Sequence, residues 1–282
     1  MVAQFQPESC GSFWARIDGS EMHYAKAGSG PPLLLLHGLL GGSFCWRFNI
    51  PDLAARRTIY ALDLPGLGLS DSPSKGDCGM EAQAKRLGEF IEAAGLENVD
   101  IVASSWGGAI ALLLAADSPA VHSLVLAAPV NPWSQSGLDR VRFCGSAFGG
   151  LLVRCALPLS RRFHHIGLER MYGDRARIRP GTLEGYSALL QRRGRARSLI
   201  NILRHWEHDL QVLHQAIPRV QTPTLLIWGS KDGAVDPRSA ERLRNSLARC
   251  RLKMLPGIGH LPFEESPEVF NHLVLDFIER PG

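Results

Sequence analysis

The sequence predicts an α/β fold: a mostly parallel, twisted sheet with helices on both faces, interrupted once by a helical insertion. Three observations carry this expectation. Short, strongly apolar runs, most of them bounded by Gly or Pro, recur at "PPLLLLHG", "TIYALDLPG", "VDIVAS", "VHSLVLAAP" and "PTLLIWG", as expected of strands buried on both faces. Helical stretches separate them, and strand–helix alternation implies a parallel sheet. Between Pro132 and about Pro218 the alternation stops, and helical patterning continues without clear strands.

Each element follows from its residues. "FWARIDGSEMHYAKAG" reads as two strands around the Asp18-Gly19 turn, a strong hairpin signal. "MEAQAKRLGEFIEAAG" puts Ala84, Leu87, Phe90, Ile91 and Ala94 on one helical face, with Gly95 as C-cap. "LDRVRFCGSAFGGLLVRCAL" and "RSLINILRHWEHDLQVLHQAI" are the best helical patterns of the insertion. "SPEVFNHLVLDFIER" starts on Ser-Pro and is the last helix. The expected organisation is a core at 1–133 and 222–282, with a helical, arginine-rich cap at 134–221.

Composition bounds the function classes. At 282 residues, with 45% hydrophobic and 21% charged residues, the chain suits one large domain or a domain with an insertion. A chain of this size buries roughly 75% of its unfolded surface and needs no disulfide staples. The six cysteines, Cys10, Cys45, Cys78, Cys144, Cys155 and Cys250, form no C-x-x-C pair and no zinc-finger spacing. They read as reduced structural thiols in a cytoplasm. No signal peptide is expected, and the apolar runs are too short for stable membrane insertion.

The net charge of +4 is unevenly spread. Residues 134–221 hold 15 arginines, no lysine and six acids, a net of +9 that leaves −5 elsewhere. That charge suits an anionic substrate or an acidic membrane surface; a solvated face is the plainer reading. Nucleic acid is not expected as a partner, because the arginines lack interleaved aromatics and no binding motif is present. No metal cluster or phosphate-cradling glycine loop is seen, so no cofactor is implied, and "GLGLS" does not match G-x-G-x-x-G.

"IVASSWGGAI" holds two adjacent serines. A serine in a sharp strand-to-helix turn is strained, and the positions two before and two after it need minimal side chains. Ser105 has Ala103 and Gly107 there, followed by Gly108, whereas Ser104 has Val102 and Trp106. Sterics select Ser105, although helix N-caps also favour serine. A serine nucleophile needs a base, and the base an orienting carboxylate. In this architecture they follow in the order Ser, acid, His. "LLIWGSKDGAVDP" offers Asp232 and, second, Asp236; "LKMLPGIGHLPFEESP" offers His260 in a Gly-rich loop before the last helix.

Five segments in order resemble the α/β-hydrolase superfamily, from about residue 12 to 280: "LLLLHGLLGG", "ALDLPGLGLSD", "ASSWGG", "LLIWGSKDGAVDP" and "GIGHLPFEESPE". The resemblance implies an eight-stranded sheet and a triad of Ser105, Asp232 and His260. It also implies an oxyanion hole from the backbone N–H groups of Leu39 and Trp106, with Leu40 as the second choice for Leu39. The elbow carries Ala103 where the usual form has glycine. His37, Asp63 and Ser70 read as loop-holding residues, and Trp46 as packing. Similar dehalogenases and most similar epoxide hydrolases use aspartate at the elbow; Ser105 stands in that place here.

The expected reaction is hydrolysis of a small-molecule carboxylic ester, with short to medium acyl or aryl groups, through an acyl-Ser105 intermediate. Two alternatives stand beside it. One is a C–C bond hydrolase acting on meta-cleavage products, although its usual Gly-Pro-Gly-like oxyanion stretch is absent from "HGLLGGSFCW". The other is a hydrolase-like binding protein with an inert triad. Phe143, Phe148, Leu151, Leu152, Leu189, Leu190 and Trp206 are candidates to line the pocket.

Overall fold

The computed structural model describes residues 10–73, 77–157 and 161–281. Its single sheet contains β1 (Gly11–Ile17), β2 (Ser20–Ala27), β3 (Pro32–Leu36), β4 (Thr58–Leu62), β5 (Val99–Ser104), β6 (Val121–Ala127), β7 (Thr224–Gly229) and β8 (Cys250–Leu255). The spatial order is β1-β2-β4-β3-β5-β6-β7-β8. The hairpin turns at Asp18 and Gly19, both at positive φ, and β1 and β2 pair antiparallel. From β4 to β8 every pairing is parallel.

The apolar runs are explained by two cores. Alternate residues of β3 point to opposite faces: Leu34 and Leu36 join one cluster, Leu33 and Leu35 the other. The first cluster includes Leu87 and Phe90 of α2 (Met80–Ala93), Ile110 of α3 (Ser105–Asp117) and Leu213 of α8 (Arg195–Ala216). The second includes Leu53 of α1 (Ile50–Ala54) and Phe270 and Phe277 of α11 (Pro267–Glu279). Each fully buried leucine or phenylalanine contributes about 1.5–3 kcal/mol relative to exposure. Two-sided burial leaves few polar residues in these strands, and those present are paired, as Asp100 is with Arg57 and Ser123. Of the predicted face of α2, Ala94 departs: it is exposed at the helix C-cap, one residue before Gly95 turns to φ 61°.

Between β6 and β7 lie α4 (Leu138–Gly145), α5 (Ala147–Ala156), α6 (Arg161–Glu169), α7 (Thr182–Leu190) and α8. The helical pattern over 138–157 is divided between α4 and α5. Ser146 is extended, ends α4, and caps α5 by accepting a hydrogen bond from Gly149 N (3.1 Å). After β7 come α9 (Ala240–Ser246), β8, the short α10 (Pro262–Glu265) and α11.

Candidate active site

The site forms at the carboxyl ends of the parallel strands, where the chain leaves the sheet and side chains can converge. Ser105 follows β5 and opens α3 at φ 53°. That left-handed conformation is costly for a residue with a Cβ. Ser104 occupies the N-cap, so Ser105 is not a capping serine. The glycines have a steric reason. A Cβ on Gly107 would sit 2.4 Å from the carbonyl oxygen of His37, and one on Gly108 would sit 2.8 Å from Cβ of Pro129. Gly38 is equally close to the serine, its Cβ position lying 3.0 Å from that of Ser105.

His260 and Asp232 meet across two loops. Nδ1 of His260 donates to Oδ2 of Asp232 at 2.8 Å, and both residues are buried. Oδ1 of Asp232 accepts from Ala234 N (2.8 Å) and Val235 N (3.0 Å), which fixes the carboxylate plane. In the neutral ring this leaves Nε2 of His260 as the free acceptor. Asp236, the second choice from sequence, spends its carboxylate on Arg238, whose hydrogen bonds hold its pKa below the usual range.

The loop after β3 is held from within. His37 Nδ1 donates to Gly38 O (2.7 Å), and its Nε2 accepts from Leu64 N (3.0 Å). Burial lowers its pKa, so the ring is a neutral anchor. Asp63 accepts from Leu69 N (2.9 Å), from Ser43 N and from His23 Nδ1 (2.7 Å). Leu39 follows Gly38 in this loop, with Leu40 next at φ 65°. Trp106 is the second residue of α3, and N–H groups of a first helical turn have no intrahelical partner.

Ser105, His260, Gly38, Leu39 and Leu40 line one cavity of about 500 Å³, within the range of small-molecule sites. The helical segment adds Leu138, Arg140, Val141, His164, Leu168, Tyr186, Leu190 and Trp206 to its wall. Of the predicted lining residues, Leu190 and Trp206 are there, and Leu189 borders a small side cavity. Phe143, Phe148, Leu151 and Leu152 are not: all four are exposed. Nor do the arginines form a uniformly solvated face. Arg195 is buried, donates to Gly68 O (2.6 Å) and Ser70 O (2.9 Å), and has its pKa lowered by burial to about 10.

Sequence reasoning missed the residues that lock this site together. Glu265 accepts from Gly259 N (2.7 Å), just before His260, and from Gly173 N (3.1 Å). His260 N in turn donates to Met171 O (2.6 Å). Beside them, buried Glu264 accepts from both terminal nitrogens of Arg47 (3.1 and 2.9 Å), from Tyr172 (2.6 Å) and from Tyr186 (2.5 Å). Their only sequence signal is the pair of glutamates in "LPFEESP". A second Ser-His-Asp array also exists: Ser12 Oγ to His23 Nε2, and His23 Nδ1 to Asp63, each 2.7 Å. Ser12 is absent from the described lining of the cavity, and Asp63 is the anchor of the 63–70 loop.

Comparison with known proteins places the chain among similar sequences. The sequence profile of the alpha/beta hydrolase family matches residues 33–273. The magnesium-chelatase 30 kDa subunit of Rhodobacter capsulatus is 30% identical over 256 residues, 89% of this chain and 87% of that protein. Haloalkane dehalogenase 2 of Mycobacterium tuberculosis is 30% identical over 280 residues, 96% and 95% of the two chains. A bacterial membrane phospholipase A of known structure superposes with a TM-score of 0.78 at 28% identity, covering 97% of this chain and 87% of its own. With this extent of match, joined to the eight-stranded sheet, the chain belongs to the alpha/beta hydrolase family.

Proposed function

We propose that the chain is a serine-dependent carboxylic ester hydrolase, with Ser105 as nucleophile, His260 as base and Asp232 as its orienting acid. The observation that carries this reading is the buried 2.8 Å bond from His260 to Asp232, beside a cavity that Ser105 also lines. Relatives differ in the activities their names state, so the nucleophile decides between them. A serine hydroxyl at the elbow suits acyl transfer, whereas the dehalogenase-like branch uses aspartate there.

The reaction proceeds in two halves. His260 Nε2 removes the Ser105 proton as Oγ attacks the ester carbonyl carbon, and Asp232 holds the ring in the required tautomer. Negative charge builds on the carbonyl oxygen, and the N–H groups of Leu39 and Trp106 are proposed to stabilise it. Loss of one such donor typically costs about 10²–10³ in rate. The alkoxide leaves with the proton from His260. Water, deprotonated by the same nitrogen, then attacks the acyl carbon and restores Ser105. The helical segment 134–221 acts in this reading as a cap, which limits substrates to those the cavity admits, small to medium acyl or aryl esters.

The test is turnover of p-nitrophenyl esters of increasing chain length by the native chain and by Ser105→Ala, with a meta-cleavage product run alongside. Ester turnover lost in Ser105→Ala is expected, together with labelling of Ser105 by a fluorophosphonate. Faster cleavage of the meta-cleavage product would replace esters with C–C bonds. Absence of labelling would make the fold a binding scaffold.

A further inference from the structure

Helix α5 is turned inside out. Phe148, Leu151, Leu152 and Cys155 follow the i, i+3, i+4, i+7 spacing of a single helical face, yet that face meets solvent. Phe148 is 65% exposed, Leu151 58% and Leu152 46%, and Cys155 is exposed as well. Facing inward are Gly149 and Gly150, both buried. A Cβ on Gly149 would lie 1.9 Å from the carbonyl oxygen of Phe143, and one on Gly150 would lie 3.3 Å from Ile200 of α8. The glycines let α5 lie close against its neighbours and leave its large side chains outside. Phe143 of α4, 51% exposed, adds its ring at 6.4 Å from that of Phe148 in an edge-on contact. Single exposed apolar residues need no explanation, but a contiguous group does.

The charge around this face is predominantly positive. Residues 140–168 contain five arginines and no aspartate or glutamate. Arg140, Arg154 and Arg161 are exposed, while Arg142 is paired with Asp139 and Glu207 from outside that stretch. An outward apolar stripe whose surround carries more cations than anions is the pattern of a helix that lies in a lipid–water interface and is drawn to anionic headgroups. A second copy of the chain fits less well, because a two-fold contact would set this cationic rim against itself. The face also adjoins the site: α4 carries Phe143 on the outside and lines the cavity with Leu138, Arg140 and Val141.

We propose that the outward face of α5, with Phe143, docks the protein peripherally on an anionic lipid surface. No helix among the described residues is long and apolar enough to cross a membrane, so the contact is superficial. Docking does not require the acyl-transfer reading and is tested without it. Purified protein is sedimented with vesicles of phosphatidylcholine, with and without phosphatidylglycerol, at low and high salt. Binding is expected with phosphatidylglycerol, weakened by salt and lost in a Phe148→Ser, Leu151→Ser, Leu152→Ser variant whose melting temperature is unchanged. Arg154→Gln and Arg161→Gln are each expected to weaken partition about fivefold. Ser105→Ala should bind as the native chain does, so failure of catalysis and failure of docking stay distinct. Three results would overturn the proposal: no binding to phosphatidylglycerol vesicles, undiminished binding by the triple variant, or a native dimer that the triple variant converts to monomer while vesicles bind neither.

Discussion

Gly107 lies beneath the carbonyl of His37, with only 2.4 Å between its vacant Cβ position and that oxygen. The turn after β5 and the loop after β3 are therefore packed backbone to backbone. Gly107→Ala is expected to destabilise the fold by about 3 kcal/mol, because the obstacle is main chain rather than a movable side chain. Gly88→Ala in α2 is the matched control. Its Cβ would meet only Leu114 Cδ1, at 3.4 Å, and alanine improves a helix interior by about 0.5–1 kcal/mol over glycine. Urea denaturation of the two variants measures the contrast.

Asp232→Asn tests the orienting carboxylate. The amide keeps the size of the side chain but can present its N–H to His260 Nδ1, which then takes the wrong tautomer. Ester turnover is expected to fall about 10⁴-fold, with binding of a non-hydrolysable ester analogue preserved. A fall of less than tenfold would move the acid elsewhere.

Glu264 is a carboxylate with four donors around it, and the side chain of its partner Arg47 is only 8% exposed. Glu264→Gln leaves a buried guanidinium without a counter-charge. The expected loss is about 3–5 kcal/mol, read from chemical denaturation. Tyr172 and Tyr186 belong to the helical segment and Arg47 to the core. Limited proteolysis of that segment should therefore accelerate more than cleavage elsewhere.

Asp209 in α8 predicts a pH dependence. Its Oδ2 accepts from Met80 N (3.0 Å), but burial dominates and raises its pKa to about 6. The unfolded chain ionises this group near pH 4. Below that pH both states hold the proton and the group costs nothing. As pH rises through about 6 the folded state must carry a buried charge, so stability is lost. Asp209→Asn, which still accepts from Met80 N, is expected to melt a few degrees higher at pH 7 and no higher at pH 4.

Much of this was legible before any tertiary contact was known. Apolar runs of strand length reported two-sided burial, because a residue such as Leu33 or Leu34 is buried whichever face it takes. Ser105 was separable from Ser104 because side-chain volume at plus and minus two residues is a local quantity. His260 and Asp232 followed from their places after late strands, and their contact is direct. Glu264 and Glu265 were not legible. Adjacent glutamates normally face water, and the arginine that neutralises Glu264 is 217 residues away. Arg195 was hidden for the same reason, as one of 15 similar arginines.

By itself, then, the sequence determined the layered sheet, the order of its strands along the chain and the residues that gather at its rim, since these depend on hydrophobic period, glycine placement and spacing. Only the tertiary structure decided how the helical segment is oriented. A helical period states that α5 has an apolar face but is unchanged by a half-turn of the helix about its axis. Close packing against α4 and α8 admitted the glycines and turned Phe148, Leu151 and Leu152 outward.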